Sequence, residues 1–247
     1  MTSKSIQYRI FKSIDDTNYA ESVIRDLISE MPNHGVEHYF RTKGSMLANS
    51  DTVIVAHDEN CHVGIMVLSK ENVIENKTGL YIRTVLVSER YHGQNLAYEI
   101  ISHGFKAFYK DYDYFPDFIL MTTFNPITYR MMKGFAKGKS TYANVYPSIS
   151  RENDDHYKVV ATLYANKLSP DSEFQANSGV IVNGGGEIPA AFWKNYPTTR
   201  DHAILNYFKT HLGERDRFLC IIFCEEKKDK KTVMTNLNIK DSKDATR

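Results

Sequence analysis

An apolar run ending at Val87 and an amphipathic run beginning at Gln94 are separated only by Ser88, Glu89, Arg90, Tyr91, His92 and Gly93. A strand that feeds straight into a helix through so short a turn directs the helix's unpaired N–H groups at one spot, with the positive end of the macrodipole behind them. The chemistry of such a turn is anion binding, and a phosphate fits it. Gly93 permits close backbone approach, Asn95 is one of the few side chains that tolerate a left-handed conformation, and Ala97 leaves room at the helix start. A second strand-turn-helix runs from Met121 to Phe135, with Asn125-Pro126 at its turn and proline in the first helical turn, where its missing N–H costs nothing. On the strand before the first turn, alternation places Tyr81 and Arg83 on the same face as Val85 and Val87. An arginine on a central strand needs compensation, from an internal carboxylate or from an acidic acceptor or coenzyme group.

Other chemistry-bearing residues carry less. His34 and His38 are two imidazoles four apart, but the segment is not HExxH and no third ligand is spaced nearby, so no metal is expected. Gly184, Gly185 and Gly186 precede Ile188-Pro189 and not a helix, which makes them a flexible loop and not a phosphate cradle. Cys220 and Cys224 share a face of an apolar strand with nothing basic adjoining, the pattern of packing residues. The aromatic residues, sixteen Tyr and thirteen Phe, are read as core.

The elements that position these residues follow from periodicity. Strands are expected at Ile6 to Phe11, Thr52 to His57, His62 to Ser69, Leu80 to Val87 and Pro116 to Thr123, the second and third forming an antiparallel hairpin around Asp58-Glu59-Asn60. Helices are expected at Thr17 to Met31 behind an Asp15 or Asp16 cap, at Val36 to Leu47, at Gln94 to Lys110 and from Pro126 to Lys137. Beyond them, Tyr157 to Asn166 alternates like a strand, Ser169 to Pro197 is loop-rich, Thr199 to Leu212 is helical and Phe218 to Cys224 is a buried strand. The fold class is α/β (α+β), with a core over 1–166, an extension or insertion over 167–226 contributing a helix and a strand, and a polar tail over 227–247.

The first turn resembles the acyl-CoA-binding motif of the GCN5-related N-acetyltransferase (GNAT) superfamily, an Arg/Gln-x-x-Gly-x-Gly/Ala turn. His92, Gly93, Gln94, Asn95, Leu96 and Ala97 keep its spacing and final small residue, with His for the leading Arg or Gln and Asn for the middle Gly. The second strand-turn-helix resembles a later motif of that family, an Asn followed by a helix with a Tyr and a closing Gly-Phe. Here Tyr129 lies four residues after Asn125 instead of seven, on the same helical face. The resemblance implies a mixed, mostly antiparallel central sheet with helices on both faces, and acetyl-CoA as co-substrate without a metal. It also implies that the main chain of Val85, Leu86 and Val87 pairs with the pantetheine arm and that Asn125 contributes to the coenzyme site. By the same resemblance an amine is expected to attack the thioester and Tyr129 to protonate the leaving thiolate, with His38, Tyr39, Tyr81 and Arg83 as candidates to face the acceptor. The Glu that many members carry on the fourth strand is absent from Gly79 to Val87, so the general base is not assigned. A non-catalytic acyl-CoA-binding or sensor module is the alternative on the same fold.

Composition sets the outer bounds. Over 247 residues, 31 Lys plus Arg against 30 Asp plus Glu leave a net charge of +1, without the basic surplus that draws nucleic acid or anionic lipid. The 42% hydrophobic and 25% charged contents are those of a globular chain. Three cysteines without a CxxC pair encode neither a disulfide framework nor a thiolate site, and no apolar run is long enough to span a bilayer. The expectation is a cytoplasmic enzyme with no membrane or nucleic-acid partner, as monomer or homodimer.

Overall fold

A computed structural model describes residues 5–137, 144–150, 152–194 and 196–239. The fold is mixed α/β, with mostly antiparallel strands in an open sheet. The chain divides into two compact units, Met1–Lys70 with Ile82–Phe115, and Glu71–Tyr81 with Pro116–Arg247.

The first unit holds β1 (Gln7–Phe11), α1 (Thr17–Glu30), α2 (Val36–Lys43), β2 (Thr52–His57), β3 (His62–Glu71), most of β4 (Gly79–Val87) and α3 (Leu96–Tyr112), with strand order β1-β2-β3-β4. Asp16 caps α1 by accepting from the amides of Asn18 and Tyr19, and Val23 and Leu27 form its buried stripe. The β2–β3 hairpin turns on Asp58, whose Oδ1 accepts from the amides of Asn60 and Cys61. Helix α3 is seated closely on this hairpin. A Cβ at Gly104 would lie 2.9 Å from Ile54 Cδ1, and one at Gly64 would lie 2.6 Å from Ile100 Cδ1. Ile100, Ile101, Phe105 and Phe108 are buried along its inner face, each contributing about 1.5–3 kcal/mol of transfer free energy.

The second unit holds β5 (Phe118–Thr123), α4 (Pro126–Phe135), β6 (Asn144–Tyr146), α5 (Asp155–Leu168), β7 (Phe174–Gln175), β8 (Val180–Ile181), α6 (Ile188–Phe192), α7 (His202–His211), β9 (Arg217–Phe223) and α8 (Lys227–Asn236). Its strands run β5-β9-β8-β7, with β6 also on β9. Alternation along β9 divides the core. Leu219, Ile221 and Phe223 pack with Val160, Ala161 and Tyr164 of α5, whereas Phe218 and Cys220 pack with Tyr129 of α4 and with Ile204 and Phe208 of α7. Helices therefore cover both faces of this sheet.

Two expectations are corrected here. Tyr157 to Asn166 is not a strand but most of α5, which starts at the Asp154 cap and buries Val160, Ala161, Tyr164 and Ala165 at helical spacing. Its apparent alternation comes from Val159 and Leu163, which are apolar yet exposed. The expected strand Phe218 to Cys224 is β9, which sits between β5 and β8 in its unit's sheet. Part of the expected polar tail is α8, which buries Val233 and Met234, while 240–247 lie outside the described residues. Among the described residues no helix is long and apolar enough to cross a membrane.

Candidate functional site

The β4–α3 turn is built from three successive short hydrogen bonds. After Ser88 N–H returns to the Val63 carbonyl at 2.8 Å, Tyr91 donates to Ser88 O, His92 to Glu89 O and Gln94 to Tyr91 O, all at 3.0–3.1 Å. Gly93 then adopts φ +77° and Asn95 φ +64°, the left-handed region. The direction of a Cβ on Gly93 is open, with no heavy atom within 4 Å, so glycine serves the backbone angle there and leaves free space beside it. Asn95 precedes α3 without capping it through its side chain. Left-handed φ aims its side chain away from the helix amides, unlike the extended conformation of an ordinary cap. Among the described residues the N–H groups of Asn95, Leu96 and Ala97 have no acceptor. Glu99, the one acidic residue of the first turn, accepts from the Tyr8 hydroxyl at 2.5 Å. Unpaired first-turn amides and a helix dipole suit a phosphate-type anion.

A polar network holds this turn on the first unit. Arg90 Nε donates to Glu30 Oε2 at 2.6 Å and its Nη1 lies 2.9 Å from Asp58 Oδ2. Ser88 Oγ donates to Glu30 at 2.5 Å, and the Tyr91 hydroxyl donates to Asp58 at 2.9 Å. Burial alone would push both carboxyls up. For Glu30, hydrogen bonds from Ser88 and Arg90 outweigh it, and for Asp58, those from Asn60, Cys61 and Tyr91 with the Arg90 charge do the same, so both end below the usual carboxylate range. The Cys61 thiol, half-buried beside Glu30, is pushed up to about 11 by burial and by that carboxylate, away from thiolate chemistry. On the other side of the turn, Glu89 accepts from Asn33 N, Asn33 Nδ2 and His34 Nδ1 at 2.7–2.9 Å.

Arg90 is the residue that sequence reasoning missed, and its signal was present. The Arg-x-x-Gly-x-Gly/Ala pattern fits two residues earlier than the His92 alignment, with Arg90 leading, Gly93 in place and Asn95 at the last position, where its left-handed φ does what glycine would do. His92 is engaged within the turn. Its Nε2 lies 3.1 Å from the Val87 carbonyl and its ring meets His34 edge-on, with centroids 5.9 Å apart.

The remaining candidates separate by position. Leu86 and Val87 are buried and Val85 is half-buried on β4. Gln94 Nε2 donates to the Arg90 carbonyl at 2.7 Å. Arg83 donates to the Asn49 carbonyl and, at 3.4 Å, to Ser69 Oγ, and among the described residues it has no carboxylate partner, against the first expectation for it. His38 Nδ1 accepts from Arg41 at 3.0 Å, and the Tyr39 ring packs edge-on against Phe40. In the second unit Tyr81 meets Thr122 at 2.8 Å, and Asn125 Oδ1 caps α4 by accepting from Ile127 N–H at 2.9 Å. Tyr129 lies on the packed face of α4. It is 2% exposed, its hydroxyl donates to the Pro147 carbonyl at 2.6 Å, and burial pushes its pKa well above the normal tyrosine range. That proton is engaged by the Pro147 carbonyl.

No family model matches this chain, and no curated protein matches it. Several solved structures are partly similar. The NatC complex bound to Gag peptide and CoA is 14% identical, covering 89% of this chain and 98% of that one with a TM-score of 0.39. The diaminobutyrate acetyltransferase EctA from Paenibacillus lautus, in complex with its substrate and coenzyme A, is 21% identical over 58% of this chain and 81% of that one, at 0.38. The aminoglycoside N-acetyltransferase AAC(6')-Iy in complex with CoA is 11% identical over 44% and 73%, at 0.33.

Proposed function

We propose that this protein is an acyl-CoA-dependent N-acyltransferase that moves acetyl from acetyl-CoA to a primary amine by direct attack. The observation that supports this reading is the set of acceptor-free amides at Asn95, Leu96 and Ala97, behind a turn whose backbone is fixed left-handed at Gly93 and Asn95. In this reading those amides and the α3 dipole hold the coenzyme's diphosphate, with His92, Gly93 and Gln94 around it. The main-chain groups of Val85, Leu86 and Val87 hold its pantetheine arm as an added strand. Acetyl-CoA supplies a thioester carbonyl open to an amine. The chain's share is to place the amine and to keep it deprotonated, contributions of proximity and proton management. With Tyr129 committed to Pro147, the thiolate takes its proton from solvent.

The second reading, a module that binds acyl-CoA without catalysis, draws support from two specifics: the buried, bonded Tyr129 hydroxyl and a β4 without a carboxylate. One pair of measurements separates them. Thiol release from acetyl-CoA that depends on added amine, over a panel of primary amines, supports the enzyme. Stabilisation by CoA of about 2.7 kcal/mol at a hundredfold excess over Kd, without turnover, supports the sensor. Neither stabilisation nor turnover removes both.

A further inference from the structure

In the second unit, alternation along β9 places Arg217 on the face shared with Leu219 and Ile221, opposite Ile181 of β8. Its Nη1 donates to Thr122 Oγ1 at 3.3 Å, and Thr122 Oγ1 lies 2.8 Å from the Tyr81 hydroxyl. All three side chains are half-buried. Arg217 Nε is buried without an acceptor, and among the described residues no carboxylate pairs with this guanidinium. The adjacent Asp216 is committed elsewhere, with Oδ1 accepting from Asn183 N–H and Oδ2 from Gly213 N–H, each at 2.8 Å.

The donor count does not balance. A guanidinium brings five N–H donors and two hydroxyls bring one each, while the cluster's only acceptors are the two hydroxyl oxygens. Whichever hydroxyl donates in the Tyr81–Thr122 bond, the other keeps a proton with no partner among the described residues. A half-buried cation with surplus donors and no counter-charge costs stability unless something outside the chain supplies an anionic oxygen. We infer that Tyr81, Thr122 and Arg217 form a binding site for a carboxylate. One guanidinium offsets one negative charge, and its planar fork matches the two oxygens of a carboxylate. A phosphate dianion would bring a second charge that no other cation of the cluster meets.

Calorimetric titration of the full chain with acetate and acetamide, benzoate and benzamide, and glycine and glycinamide tests this, with inorganic phosphate as a further arm. At least one carboxylate is expected to bind about tenfold to a hundredfold more tightly than its amide. Arg217→Gln removes that preference, Arg217→Lys keeps part of it, and Tyr81→Phe weakens the carboxylate severalfold. Should Arg217→Gln fail to fold, the Lys and Phe variants decide in the same way. Equal affinity within every pair, a preference that survives Arg217→Gln, or phosphate binding more tightly than every carboxylate overturns the inference. No acyl transfer enters the measurement, so it stands or falls apart from the acyltransferase reading.

Discussion

Removing the Arg90 guanidinium is the sharpest perturbation of the turn that carries the proposed coenzyme site. Arg90→Met keeps the apolar stem and deletes contacts to Glu30 at 2.6 Å and Asp58 at 2.9 Å. Breaking a buried ion pair from one side costs about 3–5 kcal/mol, mostly through the charge left behind. Two features reduce that figure here. The Asp58 side chain is fully buried but keeps donors from Asn60, Cys61 and Tyr91, and Glu30 keeps Ser88. Arg90 itself is 35% exposed, so water takes up some of its role. A loss of about 2–3 kcal/mol is expected, or roughly 5–10 °C in Tm for a chain of this size.

The pH dependence gives the test its direction. Both carboxyls lie below their usual range in the folded state. Their pairing therefore contributes stability above the unfolded values, near 4, and that contribution is lost as pH falls through the folded values. Chemical denaturation of wild type and Arg90→Met should differ most near neutrality and converge in acid, where neutral carboxyls no longer need the guanidinium. Arg90→Lys should fall between them, because it keeps charge and loses the fork. A loss under 1 kcal/mol, or a gap that stays constant down to pH 3, would refute the claim that this network holds the turn.

Three further predictions concern single residues. Gly93→Ala should cost about 1–2 kcal/mol in thermal denaturation, all of it from φ +77° because the added Cβ meets open space, whereas Asn95→Gly relieves a left-handed L-residue and should be neutral or stabilising by up to about 1 kcal/mol. Tyr129→Phe should destabilise by about 1–3 kcal/mol through the orphaned Pro147 carbonyl and leave amine-dependent thiol release per folded molecule unchanged; a hundredfold loss of turnover would return the acid role to this hydroxyl.

Much of this architecture is legible where one side-chain pattern dominates. The alternation of β4 and the 3.6-residue stripe of α3 report burial on one side only, and the structure places both within two residues of expectation. Helix α5 defeats the same logic. Lys158 and Thr162 give Tyr157, Val159, Ala161 and Leu163 the look of an alternating strand, yet 60% of Val159 and 42% of Leu163 face solvent, so apolar character there does not mark the inside. In α8 four lysines mask a short buried stripe at Val233 and Met234. Arg90 could be read from the motif spacing but not from its contacts. Its worth lies in Glu30, sixty residues away along the chain, and no local spacing reports a partner that only the fold brings near.

The parts of the proposed function consequently stand on different footing. Anion capture by Asn95, Leu96 and Ala97 uses main-chain amides, so it depends on backbone angles that glycine and asparagine enforce and not on which side chains surround them. Transfer depends on side chains that donate or accept protons at chosen points, and there the chain offers less: Tyr129 is sealed into the α4–α7 core, and β4 carries no carboxylate. Binding without turnover would thus be consistent with every contact of the β4–α3 turn. Turnover would require that the reacting amine arrive already deprotonated, or that a base lie outside both strand-turn-helix motifs. A pH–rate profile distinguishes these, because an amine that deprotonates only in bulk water gives a rate rising tenfold per pH unit toward its own solution pKa, whereas an enzymic base gives a plateau set by the protein.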